Sequence, residues 1–365
     1  MTPSHERPAV RLAAVGDLLL ATDPGRPAAR DPHTIFDCLR PVLGKADVAF
    51  ANLECALPGD GGTVLTEPRV VATPDLIRMV GAAGFNVVSL ANNHMFDCLA
   101  EGFYNLRRLL DGLGITHVGA GDNLAEASAP AILEVRGVRL AFLGAADERS
   151  GVSRFAGPQE GGVARLDVAA MADQIRRLRR EVDHVILSLH WGEERLLIPS
   201  PAQVEQAHAL AEAGASLVLG HHPHVIQGLE NHGGSPIIYS LGNCVACDVP
   251  YADGDRIAWN RTERTGCLLE AQVGKAEVLD IRQVATYDDG RRVKVDGSGF
   301  GQRRIAKANR ALARGVTLAR YRREYFWVKT GWPVLKHLRW SSLKRLRPGQ
   351  LIHFLRNAAR AWRAR

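Results

Sequence analysis

Along residues 1–300, short apolar runs alternate with helix-like stretches. The runs are Val10–Val15, Asp47–Ala51, Phe85–Leu90, His184–Leu189, Ser216–Leu219 and Pro236–Leu241, each rich in Val, Ile, Leu or Ala. Nearly unbroken apolar runs of this length predict strands buried on both faces. Between them, Leu76, Ile77, Met79 and Val80 fall at helical spacing in Pro74–Ala83, opened by Thr73-Pro74 as cap and first turn. Asp97–Leu113, Asp167–Glu181 and Pro201–Ala213 read as longer helices, the last closed by Gly214. This alternation predicts an α/β fold. Two hairpins break it: Ile132–Val135 with Arg139–Leu143 around Arg136-Gly137-Val138, and Thr265–Val273 with Ala276–Val284 around Gly274-Lys275. The sheets are therefore expected to be mixed.

Composition narrows the class. With 46% hydrophobic and 23% charged residues, the chain can bury a full core, which excludes disorder over most of its length. No run approaches the roughly 18 apolar residues of a membrane-spanning helix. The N-terminus has no secretory pattern, since Asp17 cuts its first apolar run. Six scattered cysteines do not form a disulfide framework, so a cytoplasmic setting is expected. Charge is uneven. Residues 301–365 hold 18 Lys/Arg against one acid, Glu324, and four of the six tryptophans. The preceding residues are net acidic. We therefore expect a body over 1–290 and a basic, Trp-rich helical tail over 301–365, cut into about three short helices at Pro333 and Pro348-Gly349. Arg303, Arg304, Lys307, Arg310 and Arg314 fall at helical spacing there. Three uses of the tail compete: peripheral contact with the inner face of an anionic membrane, packing against the acidic body, and, least favoured, nucleic acid.

The chemistry lies where the runs stop. Past their carboxyl ends stand Asp17, Glu54, Asn93, His94, His190, His221, His222 and His224. Ligands of open α/β sheets bind at such ends. Mixed oxygen and nitrogen donors suit zinc, manganese or iron better than calcium. Asp17 alone could be a turn residue, and Asn92-Asn93 only a turn. Three histidines within His221–His224 have no obvious packing use. Asp97 either holds the His94 ring or caps the helix after it. Cys244 and Cys247 form a lone Cys-x-x-Cys with no second pair, which reads as structural, and Asp253 and Asp255 read as a surface loop.

Gly16-Asp17, Asn52-Leu53-Glu54, Ala91-Asn92-Asn93-His94-Met95-Phe96-Asp97, His190-Trp191-Gly192, Gly220-His221-His222-Pro223-His224-Val225 and Ser240-Leu241-Gly242-Asn243 occur in that order. Together they resemble the CapA family of bacterial poly-γ-glutamate capsule biosynthesis proteins, itself similar to the calcineurin-like metallophosphoesterases. The likeness spans roughly residues 8–285. It implies a four-layer α/β/β/α sandwich holding one or two divalent transition metal ions (Mn, Fe or Zn). Asp17 would stand as the first aspartate ligand, Glu54 as the bridging carboxylate and Asn93 as the asparagine ligand. His190 would be the isolated histidine ligand, with His222 and His224 the last pair and His221 a one-residue alternative. His94 would face the leaving group, with Asp97 behind it. Two positions depart from the phosphoesterase pattern: Leu19 replaces a histidine ligand, and the bridge is Glu rather than Asp. The resemblance implies a metal-dependent phosphoesterase in capsule, poly-γ-glutamate or related cell-surface polymer biosynthesis, acting on a phosphorylated or acidic polymer. A non-catalytic assembly or export factor that binds an acidic polymer or a synthase partner is the alternative. A metal-dependent nuclease is the second.

Overall fold

A computed structural model describes residues 9–22, 31–64, 67–251, 253 and 255–331. Two mixed sheets lie face to face. The first runs Val293–Val295, Val278–Asp288, Thr265–Val273, Val10–Leu19, Val48–Asn52, Val87–Ser89, Thr116–Val118, and Asn243–Ala246 also pairs with Val10–Leu19. The second runs Leu229–His232, Ser235–Ile238, Leu217–His221, His184–His190, Val138–Ala146, Ala131–Val135. In each sheet four neighbouring strands are parallel, and antiparallel strands flank them. Both expected hairpins form, the second with a longer turn, Gly274–Glu277, and its return strand over Val278–Asp288; in the first, Arg136 and Gly137 take the left-handed φ values that a tight two-residue turn requires.

Strand alternation sorts side chains into three cores. Leu12, Ala14, Val48, Phe50 and Val87 of the first sheet meet Leu140, Phe142, Ile186, Leu217 and Leu219 of the second. The other face of the first sheet packs under the helices Pro74–Ala83 and Leu99–Gly112 through Ile77, Val80, Phe103 and Leu106. The other face of the second packs under Val168–Leu178 and Pro201–Glu212 through Ile175, Ala207 and Leu210. The architecture is the expected α/β/β/α sandwich. At the edge where the parallel strands begin, Asp47 accepts from the Arg11 backbone N–H at 2.8 Å and from Arg136 Nε and Nη2 at 2.9 Å, tying the hairpin of one sheet to the other.

Residues 300–331 of the basic segment pack on this body. Phe300–Ala313 is a helix burying Ile305, Ala308 and Leu312. Its Asn309 accepts from the Leu229 backbone N–H and donates to Gln283. A second helix, Leu318–Phe326, and a turn over Trp327–Gly331 follow. Trp332, Trp340, Trp362, Pro333 and Pro348 lie outside the described residues. Among the described residues no helix is long and apolar enough to cross a membrane.

One local irregularity sets up the site. Pairing between Val10–Leu19 and Val48–Asn52 matches Ala14 with Phe50 but Asp17 with Asn52, so one strand carries an extra residue. A one-residue bulge moves the following side chain to the opposite face. Asp17 thereby points inward, beside Asn52. The strand is pinned there, because Asp17 N–H donates to Gly242 O at 2.9 Å and a Cβ on Gly16 would sit 1.7 Å from that oxygen. Gly16→Ala is therefore expected to cost about 1–3 kcal/mol by overpacking. Gly112→Ala, where a Cβ meets nothing within 4 Å, should gain about 0.5–1 kcal/mol of helix propensity. Denaturant unfolding of the two variants checks both signs.

Candidate metal centre

The parallel strands of both sheets end at one rim. Pair register sets Asp17 beside Asn52, Asn52 beside Ser89, and His190 beside His221. Asp17, Asn52, Glu54, His190, His221, His222 and His224 are all buried. In His222-Pro223-His224 both histidines take left-handed backbone, φ 93° and 56°. Strain of this kind persists in non-glycine residues only where surroundings enforce it, and it gathers at functional sites.

Asn52 organises the acids. Its Nδ2 donates to Asp17 Oδ1 at 2.8 Å and to Glu54 Oε2 at 3.1 Å. Its own oxygen accepts from Asn92 Nδ2, which also donates to Leu53 O. Opposite, His221 Nδ1 lies 3.2 Å from Asp17 Oδ1, and His224 Nδ1 lies 3.3 Å from Asp17 Oδ2. His224 Nδ1 also meets Asn243 Oδ1 at 2.9 Å, and its ring stands edge-on to Trp259. Asn243 donates onward to Glu263 O, and Arg195 Nε donates to the Glu263 carboxylate. Asn93 Oδ1 lies 2.9 Å from His190 Nε2.

Charge is poorly balanced among these groups. Burial works against the Asp17 charge, but hydrogen bonds from His221 and His224 hold its carboxyl well below the ordinary range. Burial and then the Asp17 charge push Glu54 well above that range. Burial and neighbouring imidazoles keep His190 and His222 neutral, His222 down to about 3. Burial opposes a charge on His224, yet Glu54 and Asp17 raise it to about 10. Glu54 Oε1, His221 Nε2 and His222 Nδ1 are buried without hydrogen-bond partners.

These are the features a cation would satisfy. Ligand atoms of Asp17, Glu54 and His224 all lie within 4.8 Å of one another, as do those of Glu54, His190 and His222. Glu54 belongs to both groups, and its unpartnered Oε1 lies 3.8 Å from His190 Nε2 and 3.7 Å from His224 Nε2. The donor set of carboxylate and imidazole suits Mn, Fe or Zn. Leu19, where the phosphoesterase pattern has a histidine, is buried among apolar side chains. The nearest additional imidazole on the Asp17 side is His221.

The centre opens into a cavity of about 370 Å³ lined by Asn93, His94, Asp97 and His222, with Arg149, Glu193, Glu194 and Lys329 among the other wall residues. His94 Nδ1 lies 2.7 Å from Asp97 Oδ2, and the same Asp97 oxygen accepts from Val70 N–H. The helix that follows is capped at Cys98 with no side-chain hydrogen bond, so Asp97 serves His94 rather than the helix end. Burial disfavours a charge on Glu194, but His224 and His222, then Lys329, hold its carboxyl below its usual range. Sequence reasoning did not single out Asn52, Asn243 or Glu194. For Asn52 a signal existed: it continues the inward parity of Val48 and Phe50. Cys244 and Cys247 are buried in or beside the strand Asn243–Ala246, next to Asp17's strand.

A profile of the family described as "Bacterial capsule synthesis protein PGA_cap" matches residues 11–247. The capsule biosynthesis protein CapA of Bacillus anthracis is 35% identical over 257 residues, covering 66% of this chain and 61% of that protein. The PGA biosynthesis protein CapA of Bacillus subtilis (strain 168) is 29% identical over 221 residues, covering 58% and 56%. The match thus takes in less than two thirds of either relative. A solved phosphatase from Mycoplasma pneumoniae aligns over 80% of this chain and 96% of its own, with TM-score 0.49 and 15% identity.

Metal that binds only the folded state stabilises it, by about 2.7 kcal/mol at a hundredfold excess over Kd. Saturating Mn²⁺ or Zn²⁺ should therefore raise the melting temperature of EDTA-treated protein. Glu54→Gln, which removes the shared charge, should cancel most of that rise. An equal rise in both proteins counts against the centre.

Proposed function

The chain belongs to the PGA_cap family of bacterial capsule synthesis proteins, and from that premise we propose that it is a metal-dependent phosphoester hydrolase in the assembly of an anionic cell-surface polymer. The observation that carries this reading is the pair of buried ligand groups sharing Glu54, one of whose members, His222, lines a cavity together with Asn93 and His94. Asp17, Glu54 and His224 would hold one cation, and Glu54, His190 and His222, with Asn93 alongside, a second. Bound divalent cations supply Lewis-acid polarisation of a phosphoryl oxygen and activation of water.

The chain's own residues do the rest. Asn52 fixes the two carboxylates in one orientation, so no reorganisation is needed when charge develops. Asn92 ties that amide to the catalytic loop, because its Oδ1 accepts from His94 N–H. Asp97 is a positioning residue: its bond to Nδ1 fixes the ring and leaves Nε2 toward the cavity. From Nε2 a proton can pass to the departing oxygen. Burial of the centre excludes water from all but the cavity side, which strengthens each of these interactions.

A second reading, a non-catalytic assembly factor that binds an acidic polymer or a synthase, draws on one observation, the apolar Leu19 beside Asp17. Turnover separates the two. With Mn²⁺, Zn²⁺ or Fe²⁺, the full chain should hydrolyse phenyl and 4-nitrophenyl phosphate or the corresponding diesters. His94→Ala should lower kcat about 10²–10⁴-fold on the phenyl ester, much less on the nitrophenyl ester, whose leaving group needs no proton, and should retain the metal-dependent thermal shift. Metal binding without turnover of any ester favours the assembly factor.

A further inference from the structure

The cavity wall has a charge pattern that the reaction above does not use. Four of its acids are already answered. Glu67 pairs with Arg69, Asp97 with His94, and Glu193 with Lys329 at 3.3 Å. Glu194 interacts with His224 and His222. Of the wall's cations, Arg149 alone has a side chain with no hydrogen bond or ion pair among the described residues. Arginine is the side chain best shaped to grip a carboxylate or phosphate through two parallel N–H donors.

Both wall cations are held in place by backbone. Arg149 sits in the short helical turn Glu148–Ser150, capped by Asp147, whose side chain accepts from Arg149 N–H. Asp147 N–H in turn donates to the carbonyl of His190, so the turn hangs from a residue of the metal centre. Lys329 arrives from the C-terminal segment, beyond the family profile, in the turn Trp327–Gly331. That turn is anchored by buried Thr330 and Gly331, and the preceding helix by Glu324, which accepts from Leu197 N–H. The Arg149 charge also reaches the hydroxyl of Tyr321 on that helix. The C-terminal segment thus contributes Lys329 to the same cavity wall as Arg149.

We propose that Arg149, assisted by Lys329, binds a second anionic group of the substrate, away from the scissile ester. The substrate is then a phosphoester of a molecule bearing at least one further carboxylate or phosphate. This rests on the hydrolase reading for the word substrate, but the pairing of Arg149 with an anion does not.

Full-length wild type, Arg149→Ala, Arg149→Glu and Lys329→Ala, each with the wild-type metal-dependent thermal shift, are titrated calorimetrically with tetraglutamate and with a tetrapeptide carrying two phosphoserines. The two probes separate carboxylate from phosphate recognition. At least one should bind wild type. Arg149→Ala should weaken it tenfold or more, Arg149→Glu should abolish it, and Lys329→Ala should weaken it about threefold, since its charge is shared with Glu193. Unchanged binding in both Arg149 variants, or no binding of either probe to wild type, overturns the proposal. Where esters are turned over, Arg149→Ala should raise KM for 4-carboxyphenyl phosphate and leave KM for phenyl phosphate and both kcat values alone. Arg149-dependent binding without turnover removes the hydrolase reading and keeps this one. Turnover with Arg149-independent KM and binding does the reverse.

Discussion

Two carboxylates buried against one amide are the constraint on which this molecule turns. Asp17 and Glu54 both accept from the single Nδ2 of Asn52. Like charges about 4 Å apart repel by about 4 kcal/mol even at an effective dielectric of 20. Hydrogen bonds to a charged group return about 1.5–3 kcal/mol each, so the two from this amide are of the same size as the repulsion and do not also cover the several kcal/mol of lost hydration. Further positive charge has to come from somewhere. In the protein alone it comes from His224, and Glu54 shifts toward its neutral form. The fold therefore gathers at this point the donors that a cation would satisfy, and the surrounding amides, Asn92 and Asn243, hold them in place.

Much of this could be read from the chain. Parallel strands covered on both faces appear as unbroken apolar runs, and the polar residues just beyond them are conspicuous because nothing polar precedes them. Asp17, Glu54, Asn93, His190, His222 and His224 do meet at one rim. What stayed hidden depends on geometry that the pattern does not encode. Strict alternation from Leu12 and Ala14 would send Asp17 to the helix-covered face, and only the extra residue before it turns the carboxylate inward. Asp97 could be a cap or a partner for His94 on sequence grounds. The competition was settled by where the ring lands, a tertiary fact.

The basic C-terminal segment was legible in composition and not in placement. Its charge and tryptophans suggest an appendage, and they outweigh the weaker signal of Ile305, Ala308 and Leu312 recurring on one helical face. That face docks on the body and sets the direction of the chain that brings Lys329 to the cavity. Net charge describes a surface; three apolar side chains fix where the described part of the segment, to Gly331, packs.

The centre draws Asp17 and Glu54 from one sheet and His190, His222 and His224 from the other. Neither layer alone carries a complete set of donors. The first sheet takes strands from both ends of the chain and the second from its middle, so the donors meet only once the chain has closed back on itself.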